Sequence, residues 1–262
     1  MTLQAGVIII LAMSLALTAV ACLLATYLVY KLRQMHVTLY GAHFRLGKLS
    51  TDITQNLQRI EQLSHELRLP GPLPLLRGWA ASPDVLLVLT RHVRRASPEV
   101  VVECGSGVST IVLAQAARLN DRGHVYSLEH DADFAQRGRE WLQEFGLADW
   151  ATVIHAPLVE TADGGDYAWY DIRNLPRELS IDLLFVDGPP ADTPQPTARY
   201  LAGPMLFPRL SPAGVVILDD ADRPGETEVV RRWMKEFPQF RLHRHHCEKG
   251  CYELRPDIAV SA

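Results

Sequence analysis

An open α/β sheet, doubly wound and mostly parallel, is the fold class this chain predicts, and three observations carry it. Short apolar runs alternate with helix-like segments from residue 82 to residue 255, the pattern of parallel strands with helices on both faces. The first of these runs, Val100, Val101 and Val102, leads through Glu103 into a turn with Gly105 and Gly107, and then into good helix formers from Val108 onward. Three successive valines suit a strand covered on both faces, and a helix N-terminus behind a glycine turn presents free N–H groups to a ligand. Acids then stand at the carboxyl ends of the expected strands: Glu103, Glu129, Asp187, Asp219 and Asp220. Ligands of such sheets bind outside those ends, so five acids there make a polar rim along the edge where a site is expected.

The elements follow in order. Residues 5–30 hold no charged side chain. At about 1.5 Å per residue, a helix of that length crosses a bilayer with some tilt. A cleaved signal peptide would carry a basic leader and a shorter apolar core, and neither is present. No Lys or Arg precedes the run, whereas Lys31, Arg33, Arg45 and Lys48 follow it. The expectation is a single-pass membrane protein with its N-terminus outside and the remainder in the cytoplasm.

Leu39, Leu46, Ile53, Ile60 and Leu67 then recur at every seventh position, with Ala42, Leu49, Asn56 and Leu63 three residues after the first four of them. These are the a and d positions of a heptad, and Asn56 is a polar residue of the kind that sets register. Gly41 and Gly47 weaken the first half. Two readings stand: a coiled-coil stalk that pairs two copies of the chain through 39–67, and an amphipathic helix packed on its own globular part. Pro70, Gly71, Pro72 and Pro74 end the helix. The expected organisation is an anchor over 1–34, a helical stalk over 35–70 and a globular domain over 71–262.

In the globular part, Ser82 caps a helix with Pro83 in its first turn, running to about residue 95. Strands are expected over 100–103, 123–129, 151–155, 181–187 and 214–219, with helices over 108–119, 133–145, 197–207 and 226–237. Residues 163–176 form a loop rich in Gly, Asp and aromatics; its segment 163–171, with Tyr167, Trp169 and Tyr170, reads either as a lid or as aromatic packing. A hairpin of 240–246 and 251–254 completes a seven-stranded sheet.

Composition bounds the function. Hydrophobic residues make up 48% and charged residues 21%, which is globular rather than disordered. A formal net charge of −4 leaves no basic field for nucleic acid. Cys22, Cys104, Cys247 and Cys251 make no disulfide framework and fit a reducing compartment. His243, His245, His246, Cys247 and Cys251 crowd together, but their spacing matches no standard zinc pattern.

Over residues 82–255 the chain resembles the class I S-adenosylmethionine-dependent methyltransferases. Glu103, Cys104, Gly105, Ser106 and Gly107 are similar to that family's first motif, an acid followed by Gly-x-Gly, with Ser109 where many members have a third glycine. Tyr126, Ser127, Leu128, Glu129 and His130 are similar to the second motif, whose acid holds ribose hydroxyls. The run from Val186 through Asp187 to Pro190, and the run from Leu218 through Asp219 and Asp220 to Arg223, resemble a branch of small-molecule O-methyltransferases that includes macrocin-type sugar enzymes. The resemblance implies a Rossmann-like methyltransferase fold and S-adenosylmethionine as cofactor. It also implies cofactor contacts from Glu103, Gly105, Ser106, Gly107, Ser109, Glu129, His130 and Asp187.

The charges agree with this. Glu129 lies 26 residues after Glu103, where a carboxylate can accept two ribose hydroxyls. A nicotinamide enzyme is the rival, but its fingerprint wants glycine where Thr110 stands. Glu103 would repel a pyrophosphate, whereas it suits the ammonium and sulfonium of S-adenosylmethionine.

Methyl transfer to a hydroxyl requires alignment of the acceptor and removal of its proton. Asp187 and Asp219 are the expected catalytic acids. His130 is either a base or a residue lining the adenine pocket, and His155 reads the same way. Related sugar and catechol enzymes use such acids as metal ligands, so the resemblance implies that Asp187, Asp219 and Asp220 hold Mg2+. The other reading keeps them metal-free, with Asp187 on the cofactor. Arg223 and Glu226 read as acceptor contacts or as a surface pair. The expected function is a membrane-anchored methyltransferase that O-methylates a small or glycan-linked acceptor at the cytoplasmic face. The competing expectation is a non-catalytic membrane scaffold with a degenerate domain, and the intact set of acids speaks against it.

Overall fold

The structure is a computed structural model that describes residues 3–74, 80–160, 168–190 and 197–257. Its packing divides the chain into two compact units, Met1–Leu57 and Gln58–Ala262. One continuous helix, α1 (Leu3–Leu67), supplies the first unit and ends in the second. Among the described residues it is the one helix long and apolar enough to cross a membrane, and its most apolar stretch is wholly unburied. Leu39, Leu46, Leu49 and Ile53 of the heptad are each more than half exposed.

The second unit opens with α2 (Pro83–Ala96), where proline stands in the first turn and Asp84 accepts from the Val85 N–H. Then follow β1 (Val100–Cys104), α3 (Val108–Asn120), β2 (His124–Glu129), α4 (Ala132–Glu144) and β3 (Ala151–His155). Asp131 caps α4 by accepting from the N–H groups of Asp133 and Phe134. A small antiparallel pair, β4 (Leu158–Glu160) and β5 (Ala168–Tyr170), stands where a loop was expected. Three residues per strand are too few for a period of two to register. Tyr167 and the remainder of 161–167 lie outside the described residues.

β6 (Ile181–Val186) comes next and leaves Asp187 one residue past the strand. The helix expected over 197–207 is broken. A 3-10 turn (Ala198–Leu201), a short α5 (Ala202–Leu206) and another 3-10 turn (Phe207–Arg209) take its place. Pro204 and Pro208 withhold the N–H groups that a regular helix would use. β7 (Leu210–Asp219) starts four residues earlier than expected, and its pairing with β6 slips near Pro212. α6 (Pro224–Glu236), β8 (Phe240–His245) and β9 (Cys251–Pro256) complete the fold.

The sheet runs β3-β2-β1-β6-β7-β9-β8, seven strands as expected. It is parallel from β3 to β7, and β9 is antiparallel to both β7 and β8. The chain winds outward from β1 to β3 and then resumes on the other side of β1 at β6. The β1/β6 boundary is therefore the switch point, where the two crossovers part and a crevice opens. Cys104 and Val186, in register there, bring Gly105 and Asp187 side by side.

Apolar side chains form one cluster on each face of the sheet. Leu63 and Leu67, the last d and a positions of the heptad, are fully buried in the first cluster with Leu86, Leu89 and Ile111. Gln115 Nε2 also donates to the Leu67 carbonyl over 2.6 Å. Leu63 and Leu67 thus belong to the second compact unit, which begins at Gln58. The last turns of α1 follow the reading of a helix packed on its own domain. Leu67→Ala is expected to destabilise the second unit by about 2–5 kcal/mol, the usual cost of such a truncation in a core. Thermal unfolding checks this: an unchanged Tm would place Leu67 outside the cooperative unit.

Candidate functional site

The site is built at the carboxyl ends of β1, β2 and β6. After Cys104 the chain turns at Gly105, whose φ of +97° disfavours any other residue. A Cβ there would also lie 3.3 Å from the Gly188 nitrogen. Backbone bonds knit the turn to its neighbours: Gly105 N–H donates to Leu128 O (2.9 Å), and Asp187 N–H donates to Cys104 O (3.0 Å). Gly188 is held at the same crossing, where a Cβ would come 2.1 Å from the Tyr170 hydroxyl.

Glu129, at the end of β2, is held from four directions. Its Oε2 accepts from the Ser106 N–H and the Ser106 hydroxyl, each at 3.0 Å. Its Oε1 accepts from the Asp131 N–H at 3.0 Å and stands 2.9 Å from His130 Nδ1. Burial alone would push its carboxyl up, but His130, the Asp131 backbone and Ser106 together bring it below the ordinary carboxylate range. Glu129 is therefore anionic at neutral pH.

Glu103 is placed differently from the expectation. It is fully buried beneath the turn and does not line the cavity. Its Oε2 accepts from the hydroxyls of Thr110 and Ser127, each at 2.5 Å. The reason is the register: Glu103 pairs with Ser127 and Phe185 in the middle of the sheet, so its side chain enters a packed face instead of the mouth. Burial raises its carboxyl to about 7, against the pull of Ser109, Ser127 and Thr110.

A stability prediction follows from that shift. Between pH 4.5 and about 7 the folded chain keeps a proton on Glu103 that the unfolded chain has released. Stability therefore falls as pH rises through this window. At 1.36 kcal/mol per unit the loss is on the order of 3 kcal/mol. Glu103→Gln removes this contribution, so its stability relative to the native chain should rise across the window. Denaturant melts at several pH values check it, and parallel curves would refute the assignment.

A cavity of about 600 Å³ lies over these elements. Gly105, Ser106, Gly107 and Ser109 of the turn line it, with Glu129, His130 and Asp131 from the end of β2 and Asp187 and Gly188 from the end of β6, and the Tyr170 ring stands 6.4 Å from that of His130. Phe134 and Trp141 of α4 add an apolar wall. Of the expected site residues, the cavity thus gathers Gly105, Ser106, Gly107, Ser109, Glu129, His130 and Asp187. It leaves out Glu103, Asp219 and Asp220. His130 sits beside Glu129, which places it at the β2 end.

Asp219 and Asp220 are buried and do not line the cavity, which departs from the expectation of Asp219 as a catalytic acid. What they surround is Arg199, only 4% exposed. Arg199 Nη2 lies 3.4 Å from Asp187 Oδ1 and 3.1 Å from Asp220 Oδ2. Its Nη1 donates to the Asp219 carbonyl at 3.1 Å and stands 3.6 Å from Glu226 Oε1. Burial lifts the Asp187 carboxyl well above its ordinary range; Asp219 adds to the lift, and Arg199 opposes it. Burial and Asp220 raise Asp219 to about 6.

Of the three acids expected to hold Mg2+, Asp187 and Asp220 turn their carboxylates to a guanidinium, while Asp219 offers it only its backbone carbonyl. Among the described residues no group of three His, Cys, Asp or Glu side chains is arranged to hold a metal ion. A buried cation already within 3.1–3.4 Å of two of the acids would repel a divalent ion, so the set does not fit one. Arg223 and Glu226, expected as acceptor contacts or a surface pair, serve the same cluster: Arg223 pairs with Asp220 at 2.9 Å, and Glu226 is buried against Arg199.

Sequence reasoning missed Arg199 and the cavity roles of Phe134 and Trp141, whereas Tyr170 belongs to the segment read as a lid or as aromatic packing. The two α4 residues are seven positions apart, a helical spacing that marks one face but does not say what the face covers. Arg199 lies on an aperiodic segment and carries no local signal. Tyr170 is fully buried, and its hydroxyl has no hydrogen-bond partner among the described residues.

Residues 102–221 match a family model described as a methyltransferase domain. Over 171 residues the chain is 27% identical to a protein-L-isoaspartate O-methyltransferase of Hyperthermus butylicus, covering 62% of this chain and 62% of that protein. The chain thus spans less than two thirds of that relative's length. Its fold is similar to that of the SAH-bound methyltransferase PaMTH1 of Podospora anserina, with a TM-score of 0.52 at 17% identity over 76% of this chain and 86% of that one. It is likewise similar to an O-methyltransferase of Bacillus cereus in complex with SAH, with a TM-score of 0.51 at 18% identity over 76% of this chain and 90% of that one. At such identities the likeness is one of fold.

Proposed function

We propose that residues 102–221, which match a methyltransferase-domain model, form a class I S-adenosylmethionine-dependent methyltransferase domain, and that the chain is a membrane-anchored enzyme that O-methylates a small or glycan-linked acceptor at the cytoplasmic face. One observation carries the reading: a single cavity is lined both by the anionic Glu129, after β2, and by Asp187, after β6, on either side of the glycine turn that follows β1. S-adenosylmethionine supplies an activated methyl group on its sulfonium.

Glu129 accepts the two ribose hydroxyls in this reading. Its lone pairs are already met by four donors, so the two movable ones, the Ser106 hydroxyl and the His130 ring, turn aside while the backbone donors stay. Phe134 and Trp141 flank the adenine with apolar surface. Gly105, with no side chain, admits the cofactor close to the backbone. Asp187 takes the acceptor's hydroxyl proton as the O–CH3 bond forms and the C–S bond breaks. A base poised above the usual aspartate range suits that transfer at neutral pH.

Calorimetric titration of S-adenosylmethionine into the full chain in detergent tests the reading. One binding site per chain is expected; no binding overturns it and favours a non-catalytic scaffold. Labelled-methyl transfer in membranes then identifies the acceptor. The name of the Hyperthermus butylicus relative points to a second acceptor class, protein isoaspartyl carboxylates, and label in the protein fraction would favour it.

The anchor reading rests on the uncharged run 5–30 and on the basic residues that follow it. Protease added to sealed cells should remove a tag at the N-terminus and spare the sheet domain. The exposed heptad positions from Leu39 to Ile53 support self-association upstream of residue 58. Cross-linking through this stretch in membranes should trap a dimer.

A further inference from the structure

We propose that Arg199 is the resident cation of the acceptor side, standing where a divalent ion would otherwise lie, and that it makes methyl transfer by this chain independent of divalent metal. The second half of this rests on the methyltransferase reading; the first half does not. The guanidinium is held by both loops that frame the acceptor end. Its Nη1 donates to the Asp219 carbonyl at 3.1 Å, and its Nε reaches the Pro189 carbonyl at 3.5 Å. Its remaining capacity goes to Asp187, Asp220 and Glu226. A planar fork of five donors can serve that many oxygens at once, which neither a lysine nor a lone ion pair can do.

A divalent ion at the same acids would need its oxygens at about 2.0–2.1 Å for Mg2+, in octahedral order. Arg199 holds the carboxylates of Asp220 and Asp187 at 3.1 and 3.4 Å from one nitrogen, Nη2. It cannot swing away cheaply, because it is 4% exposed and its departure would strand several buried acids. Its function is to hold Asp187 in place: Asp187 lines the cavity while its Oδ1 is tied to the guanidinium. Arg199 is thus a positioning residue that acts through Asp187.

Mn2+ titration of the full chain in detergent, read by electron paramagnetic resonance, tests this with the metal alone. The native chain is expected to show no Mn2+ site that depends on Asp220. Arg199→Ala opens the acids and should gain one, roughly tenfold tighter or more than anything in the native chain. Arg199→Lys keeps a cation in place and should gain none. Transfer activity of the native chain should be the same in EDTA and in Mg2+. A native Mn2+ site lost in Asp220→Asn would overturn the proposal. So would activity that vanishes in EDTA and returns with Mg2+, or a folded Arg199→Ala protein with no new site. If Arg199→Ala fails to fold, the native chain and Arg199→Lys still decide. Failure of the methyltransferase reading appears separately, as absent S-adenosylmethionine binding with the Mn2+ pattern intact.

Discussion

Glu129→Ala is expected to weaken S-adenosylmethionine binding by about a hundredfold, to be read by calorimetry on the full chain. Two hydrogen bonds to a charged acceptor are worth about 1.5–3 kcal/mol each. Part of that is returned, because Glu129 releases the Ser106 hydroxyl and His130 when it takes the ribose. A net loss of about 3 kcal/mol corresponds to roughly a hundredfold in affinity. Glu129→Gln keeps the shape but not the charge, and should fall between. The effect should hold through neutral pH. The carboxyl of Glu129 lies below the ordinary range, so its contribution is present above that range and is lost only as pH falls through the lowered value. Equal affinity in the Ala variant would refute the ribose assignment.

Asp187→Asn is expected to lower kcat by about 10²–10⁴-fold, the range for loss of a general base, while cofactor affinity changes far less. The pH profile separates this from a structural role. Burial and Asp219 raise the Asp187 carboxyl well above its usual range, so the native enzyme should lose rate as pH falls through that raised value and the base becomes protonated. In the Asn variant that acidic limb should vanish, because no proton is left to titrate. A variant with native kcat, or one that retains the limb, would move the base elsewhere. Asp219 is the weaker candidate, since it is buried and does not line the cavity.

The two predictions differ in how much of their basis could be read before the chain was folded. Glu129 stands at the end of an apolar run, 26 residues after the acid of the glycine turn, and the spacing alone carries its assignment. Asp187 was legible as an acid at a strand end, but not its partner. Arg199 is brought to Asp187 and Asp220 by the sheet order, which sets the β6 and β7 ends side by side. Glu103 shows the opposite error. Its place before the glycines suggested the ligand, and its pairing with Ser127 and Phe185 buries it instead.

The sequence by itself determined what depends on local order and period. The alternation of strands and helices, the glycine turn at Gly105, the acids at strand ends and the uncharged run over 5–30 are all properties of neighbours along the chain. Only the tertiary structure decided what depends on residues far apart. It put Leu63 and Leu67 into the domain core, closed Tyr170 over Gly188, and set Asp187 and Asp220 against a guanidinium where a metal was expected. The physical reason is that charge and packing are settled by distance in space. A carboxylate's partner is whichever cation the fold brings within about 4 Å, where a buried pair is worth far more than in water.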